Sequence, residues 1–397
     1  MSNAAAQQIE LTQDEFAFDD PPNLRVTGLK PNSLTIVTVN VNDAGDTDWF
    51  GQSVYIADAA GTVDPAKQAP QRGMYKGVHA SGPFWSLVGG QRFDTSGDAE
   101  GKISVSSLSG ELIVERSFRW QSPQNSPNIA RTDLSIPDLA VSLYLPHTAK
   151  KPAPTVILFG GSGGGSNEER ASQLARHGYA VLDTAYFGTE GAPRYFLETI
   201  PVERFSAVID YVESDPRLDS ERVIVMGRSY GAQLALVLSV YDQRIAGVIA
   251  EVPSNIVSGA PSSYPYGETL SAWSFGGQAL PFATENESSK ELSTIAVEKF
   301  SGPLLLISGG ADKVWPSGDM AKQIVQRRNQ SGLGEMTRHV YFPAAGHNFG
   351  GGEQSYGVPY LPPKDRQGRS GGDKAANSIA AIAAWKETLD FLKMIAE

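Results

Sequence analysis

The chain has 397 residues, of which 41% are hydrophobic and 19% charged, enough apolar material for about two packed domains. Its formal net charge of −11 disfavours nucleic acid as a general partner, since phosphate binding needs a basic footprint. No apolar run approaches the length of a membrane span, and the absence of cysteine excludes disulfides, thiolate metal sites and a cysteine nucleophile.

The chain opens on "MSNAAAQQIE", which has no signal-peptide core. Its Ser-Asn-Ala resembles a cloning remnant, so a native leader could have been removed and the compartment stays open: cytoplasmic if the terminus is native, periplasmic or secreted if it was trimmed. Residues 10–125 show period-two apolar alternation. Val37, Val39 and Val41 alternate in "TIVTVNV", and "SVYIAD" and "ELIVERSFRW" also read as strands. The expectation is an all-β sandwich domain over 10–125. "QSPQNSPN" (121–128) has the composition of a linker.

From 126 to 397 the pattern changes to strands and helices in turn. "DLAVSLYLP" is a strand with Leu139, Val141, Leu143 and Leu145 on one face. Further strands are predicted at "TVILF", "YAVLD", "RVIVM", "AGVIAEV", "PLLLIS" and "RHVYF". Helices are predicted near 167–177, 201–214, 230–240, 316–329 and 374–395. Val202, Phe205, Ile209 and Val212 recur at helical spacing and read as core. Such alternation implies an α/β domain with a mainly parallel sheet, whose ligands sit at the carboxyl ends of the strands.

Two segments match G-x-S-x-G. Gly160-Gly161-Ser162-Gly163-Gly164 is followed by Ser166-Asn167-Glu168-Glu169, a capping box that delays the next helix. It reads as a backbone cradle, and it fails the dinucleotide fingerprint because the third glycine position is Ser166. In "VIVMGRSYGAQLAL", by contrast, Ser229 runs straight from a strand into a helix, as a nucleophile elbow does.

A serine nucleophile needs a base, and the base an orienting acid. Of five histidines, His347 in "YFPAAGHNFGGG" falls on a small-residue loop just past a strand. His79 lies in the β-rich half, His147 in a loop, His177 at a helix end and His339 inside a strand. Asp312 in "PLLLISGGADKVWPS" occupies the loop after the preceding strand, and its rival Asp319 falls on the next helix. The order Ser229, Asp312, His347 is the one expected of an α/β-hydrolase. Oxyanion donors are expected from the Tyr230 N–H and from Ser162 or Gly161. Residues 252–302 form a long insertion between strands, read either as a cap or as ordinary packing. In the cap reading Tyr264, Tyr266, Trp273, Phe275 and Phe282 line an acyl site, with Trp315 beside them. The Gly/Pro-rich run 348–373 would form an edge of the site. Arg228 is either an anion anchor or, on the simpler reading, a side chain on the sheet surface or in solvent.

These motifs make the chain similar to the acyl-CoA thioesterase and bile acid-CoA:amino acid N-acyltransferase family. The resemblance rests on "VTGLKPN", "SVYIADAAGTVDPAKQAPQRGMYKGV" and "PFWSL" in the first half. In the second it rests on "LFGGSGGGSNEERASQLARHGYAVLDTAYF", "GRSYGAQLAL", "GPLLLISGGADKVWPS", "AAGHNF" and "AAWKETLDFL". It implies an Ig-like sandwich followed by an α/β-hydrolase domain, with a triad falling on Ser229, Asp312 and His347. It implies no metal or redox cofactor, and a small-molecule acyl thioester or ester as substrate. Members cleave acyl-CoA to free acid or pass the acyl group to glycine or taurine; the transferases of the bile acid type use cysteine as nucleophile, so serine here favours water. Three alternatives stay open: an N-acyltransferase, a carboxylesterase or amidase acting outside coenzyme A chemistry, and a binding protein on a hydrolase scaffold. Oligomeric state is not legible.

Overall fold

The computed structural model describes residues 6–90, 92–147, 152–192, 196–261, 270–283, 287–349 and 368–397. They form two units. The first takes the chain up to Asn125, whose strands are β1 (Gln8–Leu11), β2 (Glu15–Ala17), β3 (Leu24–Thr27), β4 (Leu34–Asn42), β5 (Asp48–Ile56), β6 (Arg72–Gly73), β7 (Ala99–Ser107) and β8 (Leu112–Gln121). A single short helix, α1 (Gly82–Trp85), interrupts them. β1 and β3 pair with each other, and the remaining six form one sheet in the order β2-β8-β7-β4-β5-β6. The alternation in β4 points Val37, Val39 and Val41 inward, where all three are buried. In the same core Phe84, Phe93, Phe118 and Trp120 pack edge to face with centroids 5.6–6.0 Å apart, and Trp49 lies tilted against Phe93 at 5.5 Å.

The second unit contains β9 (Ile129–Ile136), β10 (Leu139–Pro146), β11 (Ala153–Phe159), α2 (Glu168–Arg176), β12 (Ala180–Ala185), β13 (Ile200–Pro201), α3 (Ser206–Ser214), β14 (Leu218–Arg228), α4 (Tyr230–Tyr241) and β15 (Ile245–Glu251). It continues through β16 (Trp273–Phe275), β17 (Gln278–Ala279), α5 (Glu287–Leu292), β18 (Leu304–Gly309), α6 (Ser317–Gln330), β19 (Thr337–Phe342) and α7 (Lys374–Ala396). Eight strands make a mixed sheet ordered β9-β10-β12-β11-β14-β15-β18-β19. β9 and β10 run antiparallel to their neighbours, and every pair from β12 to β19 is parallel. The α/β class is therefore observed. After β11 the chain lays β12 on one side and β14 on the other, so the winding reverses there and leaves a crevice at the carboxyl ends of β11 and β14.

Three local expectations are corrected. The Ser166–Glu169 capping box does not form: Asn167 is the N-cap of α2 without a side-chain bond. The Asn167 N–H instead donates at 2.7 Å to Asp183, a buried carboxylate on β12 whose pKa burial pushes up to about 7. The 201–214 helix is split, with a 3-10 turn over Val202–Phe205 ahead of α3; its stripe of Val202, Phe205, Ile209 and Val212 is fully buried. The terminal helix is shared, because residues 373–382 group with the first unit, where Ala375, Ile379 and Ile382 pack on its core.

Candidate active site

Ser229 lies between the end of β14 and the start of α4, with φ 57° and ψ −120°. A non-glycine residue held there costs about 1–3 kcal/mol, and the flanking glycines make the turn feasible. A Cβ at Gly227 would meet the Gly231 carbonyl at 2.2 Å, and one at Gly231 would meet the Gly160 carbonyl oxygen at 2.5 Å. The serine sits between two glycines because strand, helix and the end of β11 converge to backbone contact around it. The Ser229 N–H donates to the Glu251 carbonyl at 2.9 Å, which pins the turn to β15.

Two other loops converge on this hydroxyl. His347, after β19, places Nε2 2.9 Å from Ser229 Oγ and Nδ1 2.8 Å from Asp312 Oδ2. Asp312, after β18, has a fully buried side chain with four hydrogen-bond partners. Oδ1 accepts the Val314 N–H at 2.9 Å and the Trp315 N–H at 3.3 Å; Oδ2 accepts the Ser317 hydroxyl at 2.6 Å besides the imidazole. A carboxylate on Nδ1 keeps the proton there, which leaves the Nε2 lone pair facing the serine. That arrangement can take a proton from Oγ as it attacks a carbonyl.

Burial lowers the pKa of His347 below the ordinary imidazole range, and the Arg228 charge adds to the shift while Asp312 opposes it. A base must be neutral, and a lowered pKa keeps it neutral further into acid. The acidic limb of kcat/KM, which reports the free enzyme, is expected below the unperturbed value of about 6.5. A limb at or above 7 would contradict it.

The cradle at residues 160–165 lies against the serine. A Cβ on Gly161 would come within 3.6 Å of the Ser229 Cβ. The loop is tied down by three bonds: Tyr186 hydroxyl to Gly160 carbonyl at 2.9 Å, Gly164 N–H to Gly161 carbonyl at 3.2 Å, and Gly165 N–H to Phe187 carbonyl at 3.1 Å. Ser162 is exposed beside it. Tyr230 opens α4, so its N–H has no intrahelical acceptor. The helix start and the glycine loop thus both lie next to Ser229.

The expected acyl-site aromatics divide. Trp315 stands edge-on to the His347 ring at 5.2 Å and against Tyr230 at 5.5 Å, its indole N–H donating to the Val252 carbonyl at 3.0 Å. Trp273 is fully buried, donates to Gln233 at 2.7 Å and packs on Tyr186, so it is core. Phe275 stacks on Tyr241 at 4.0 Å. Tyr241 closes α4, about 16 Å of helix from Tyr230, so Phe275 is remote from the serine. Phe282 is partly buried against the core of the second unit. Tyr264 and Tyr266 lie outside the described residues, as does most of 348–373.

The rival groups are engaged elsewhere. His339 Nε2 bonds the Ser308 hydroxyl at 2.7 Å, and Asp319 is an exposed partner of Lys322 at 2.9 Å. His177 caps α2 with its ring against Trp385, His147 is exposed, and His79 packs on Tyr75 and Trp85 in the first unit.

Sequence reasoning missed three residues around the base and misread a fourth, Arg228. Ser317 bonds Asp312, and Ser370 receives the His347 N–H at 2.6 Å through its carbonyl and the Asn348 amide at 2.7 Å through its hydroxyl. Arg228 donates to the His347 carbonyl and, at 3.1 Å, to Asn348 Oδ1. Binding to this loop is a role that neither reading of the sequence foresaw. Asn348 adjoins the histidine and could have been suspected, whereas nothing local marks Ser370.

Comparison with known proteins gives consistent matches. Residues 19–131 match the family described as acyl-CoA thioester hydrolase/BAAT N-terminal region, and residues 200–396 match BAAT / acyl-CoA thioester hydrolase C terminal. Acyl-coenzyme A amino acid N-acyltransferase 2 of Mus musculus is 28% identical over 97% of this chain and 97% of its own length. Peroxisomal succinyl-coenzyme A thioesterase of Mus musculus is 25% identical over 98% of this chain and 96% of its own. Bile acid-CoA:amino acid N-acyltransferase of Homo sapiens is 26% identical over 97% of each.

Proposed function

Because the chain belongs to the acyl-CoA thioester hydrolase and bile acid-CoA:amino acid N-acyltransferase family, we propose that this enzyme is a serine hydrolase that cleaves acyl thioesters to free acid and thiol. The observation that carries the reading is the unbroken chain from Ser229 Oγ through His347 to Asp312, at 2.9 and 2.8 Å. Ser229 attacks the acyl carbonyl as His347 takes its proton. The oxyanion is held by the Tyr230 N–H and by backbone N–H groups of Gly161 and Ser162. His347 returns the proton to the departing thiolate, leaving the acyl group on Oγ. Water, deprotonated by the same imidazole, releases the acid and restores the serine. The sheet order β9-β10-β12-β11-β14-β15-β18-β19 and the turn at Ser229 support an α/β-hydrolase domain from residue 126 onward, apart from the 373–382 stretch that groups with the first unit. The strand content of 10–125 supports an Ig-like β domain ahead of it. The acyl-CoA substrate class rests on the names of the relatives.

A second reading, acyl transfer to an amino acid, is favoured by the transferases among those relatives. Chemistry weighs against it. A serine acyl-enzyme is an oxygen ester, whose carbonyl is less electrophilic toward amines than a thioester's. An amine would need a pocket that binds its acid group and excludes water, and Arg228, the cation beside the nucleophile, is bonded to the His347 loop. Incubation with a panel of acyl-CoAs and simple nitrophenyl esters, with glycine or taurine present, is expected to yield free acid as the dominant product by mass spectrometry. An excess of amide conjugate would replace the hydrolase by the transferase. Turnover of nitrophenyl esters alone would move the substrate away from coenzyme A.

A further inference from the structure

Arg228 occupies the last position of β14, immediately before the nucleophile, yet its guanidinium reaches the loop after β19. There it donates to the main-chain carbonyl of His347 itself and to the side chain of the next residue, Asn348. We propose that Arg228 is a positioning residue, a two-point clamp that fixes the loop of the catalytic base to the strand end carrying the nucleophile. The inference rests on the proposed Ser229–His347–Asp312 chemistry and adds a fourth side chain to it.

The geometry explains why an arginine is used. Both bonds leave from one terminal nitrogen, Nη2, whose two N–H donors are held in the rigid guanidinium plane, where an ammonium rotates freely on a flexible stem. The base is otherwise carried on a loop far from Ser229 in sequence. Its own main-chain tie is the N–H bond to the Ser370 carbonyl, and Asn348 holds the Ser370 hydroxyl. Arg228 supplies the bonds that cross from this loop to β14. Displacing a catalytic group by about 1 Å can cost on the order of a hundredfold in rate, so a clamp at this place acts on chemistry without touching substrate.

A fixed charge beside the base has a second consequence. Facing the imidazole are Asp312, bonded to Nδ1, and Arg228; the neighbouring Trp315 and Ser317 are uncharged. Arg170 and Glu251 pair at 3.1 Å and, with Arg228, line a cavity of about 20 Å³ beneath the serine turn. Lys313 is exposed on the Asp312 loop, and Asp319 with Lys322 on α6 is exposed as well. The cation at Arg228 disfavours a second positive charge on His347, in the same direction as burial.

The test uses the full chain and the second-order rate of its labelling by a fluorophosphonate from pH 4.5 to 8, which needs no knowledge of the natural acyl group. Arg228→Gln keeps a short donor but loses the reach and the charge. Its label rate at pH 8 is expected to fall about ten- to a hundredfold, with the acidic limb moved to higher pH. Arg228→Lys restores the charge at one point, so its limb should return toward the parent position while its rate stays between the two. The lysine variant also carries the test if the glutamine variant does not fold. An unchanged rate, or a slower rate with an unmoved limb, overturns the inference. If the parent protein itself is not labelled at Ser229, the proposed function falls first and this inference with it. A labelled parent with an indifferent Arg228 refutes the clamp alone.

Discussion

Ser229→Ala is expected to fold as the parent does and to lose about a million-fold in turnover, the scale set by removing a serine nucleophile from its triad. The alanine keeps the turn, because its Cβ meets the same restriction at φ 57° as that of serine and the flanking glycines that permit the close approach are unchanged. In the proposed mechanism the lost hydroxyl is the atom that bonds the acyl group, so no neighbour replaces it. Ser162→Ala is the internal control: its side chain is exposed and the proposed oxyanion contact uses its backbone N–H alone, so turnover should stay within about tenfold of the parent. Steady-state hydrolysis of an acyl-CoA, with a thermal melt of each variant, reads both. If Ser162→Ala proved inactive and Ser229→Ala active, the nucleophile would belong to the other G-x-S-x-G segment.

Asp312→Asn is expected to reduce turnover about ten-thousandfold with little change in volume. Asp312 accepts four hydrogen bonds, two on each oxygen. An asparagine has one oxygen and one amide nitrogen, so one pair of donors must face another donor. Turned one way, the amide opposes the Val314 and Trp315 N–H groups and loosens the loop. Turned the other way, it opposes the imidazole, forces the proton onto Nε2 and leaves nothing to accept the serine proton. Ser317→Ala removes one of the four bonds and should cost only about tenfold. Turnover of the three variants at pH 8 checks this. A collapse with Asp319→Asn while Asp312→Asn stays active would transfer the orienting role to Asp319, against the exposed pairing of that residue with Lys322.

What the sequence determined by itself was periodicity and order. Alternation in "TIVTVNV" and the helical stripe through Val202, Phe205, Ile209 and Val212 depend on neighbours along the chain, and both hydrophobic sets are buried. The strands ending before Ser229, Asp312 and His347 were legible for the same reason: short apolar runs closed by glycine-rich loops place a residue at a sheet edge. Where recognition depended on distant groups, local rules failed. The capping box at Ser166 was displaced by Asp183, a carboxylate on another strand that offers the Asn167 N–H a buried acceptor. Trp273 and Phe275 looked like pocket walls because aromatic content says nothing about direction; only packing sends one into the core and the other to the far end of α4. Arg228 is the sharpest case. Its neighbours in sequence suggested solvent or substrate, and its partners His347 and Asn348 are brought to it by the parallel sheet. Hydrogen-bond partners far apart in the chain are a property of the folded sheet, and tertiary structure alone assigns them.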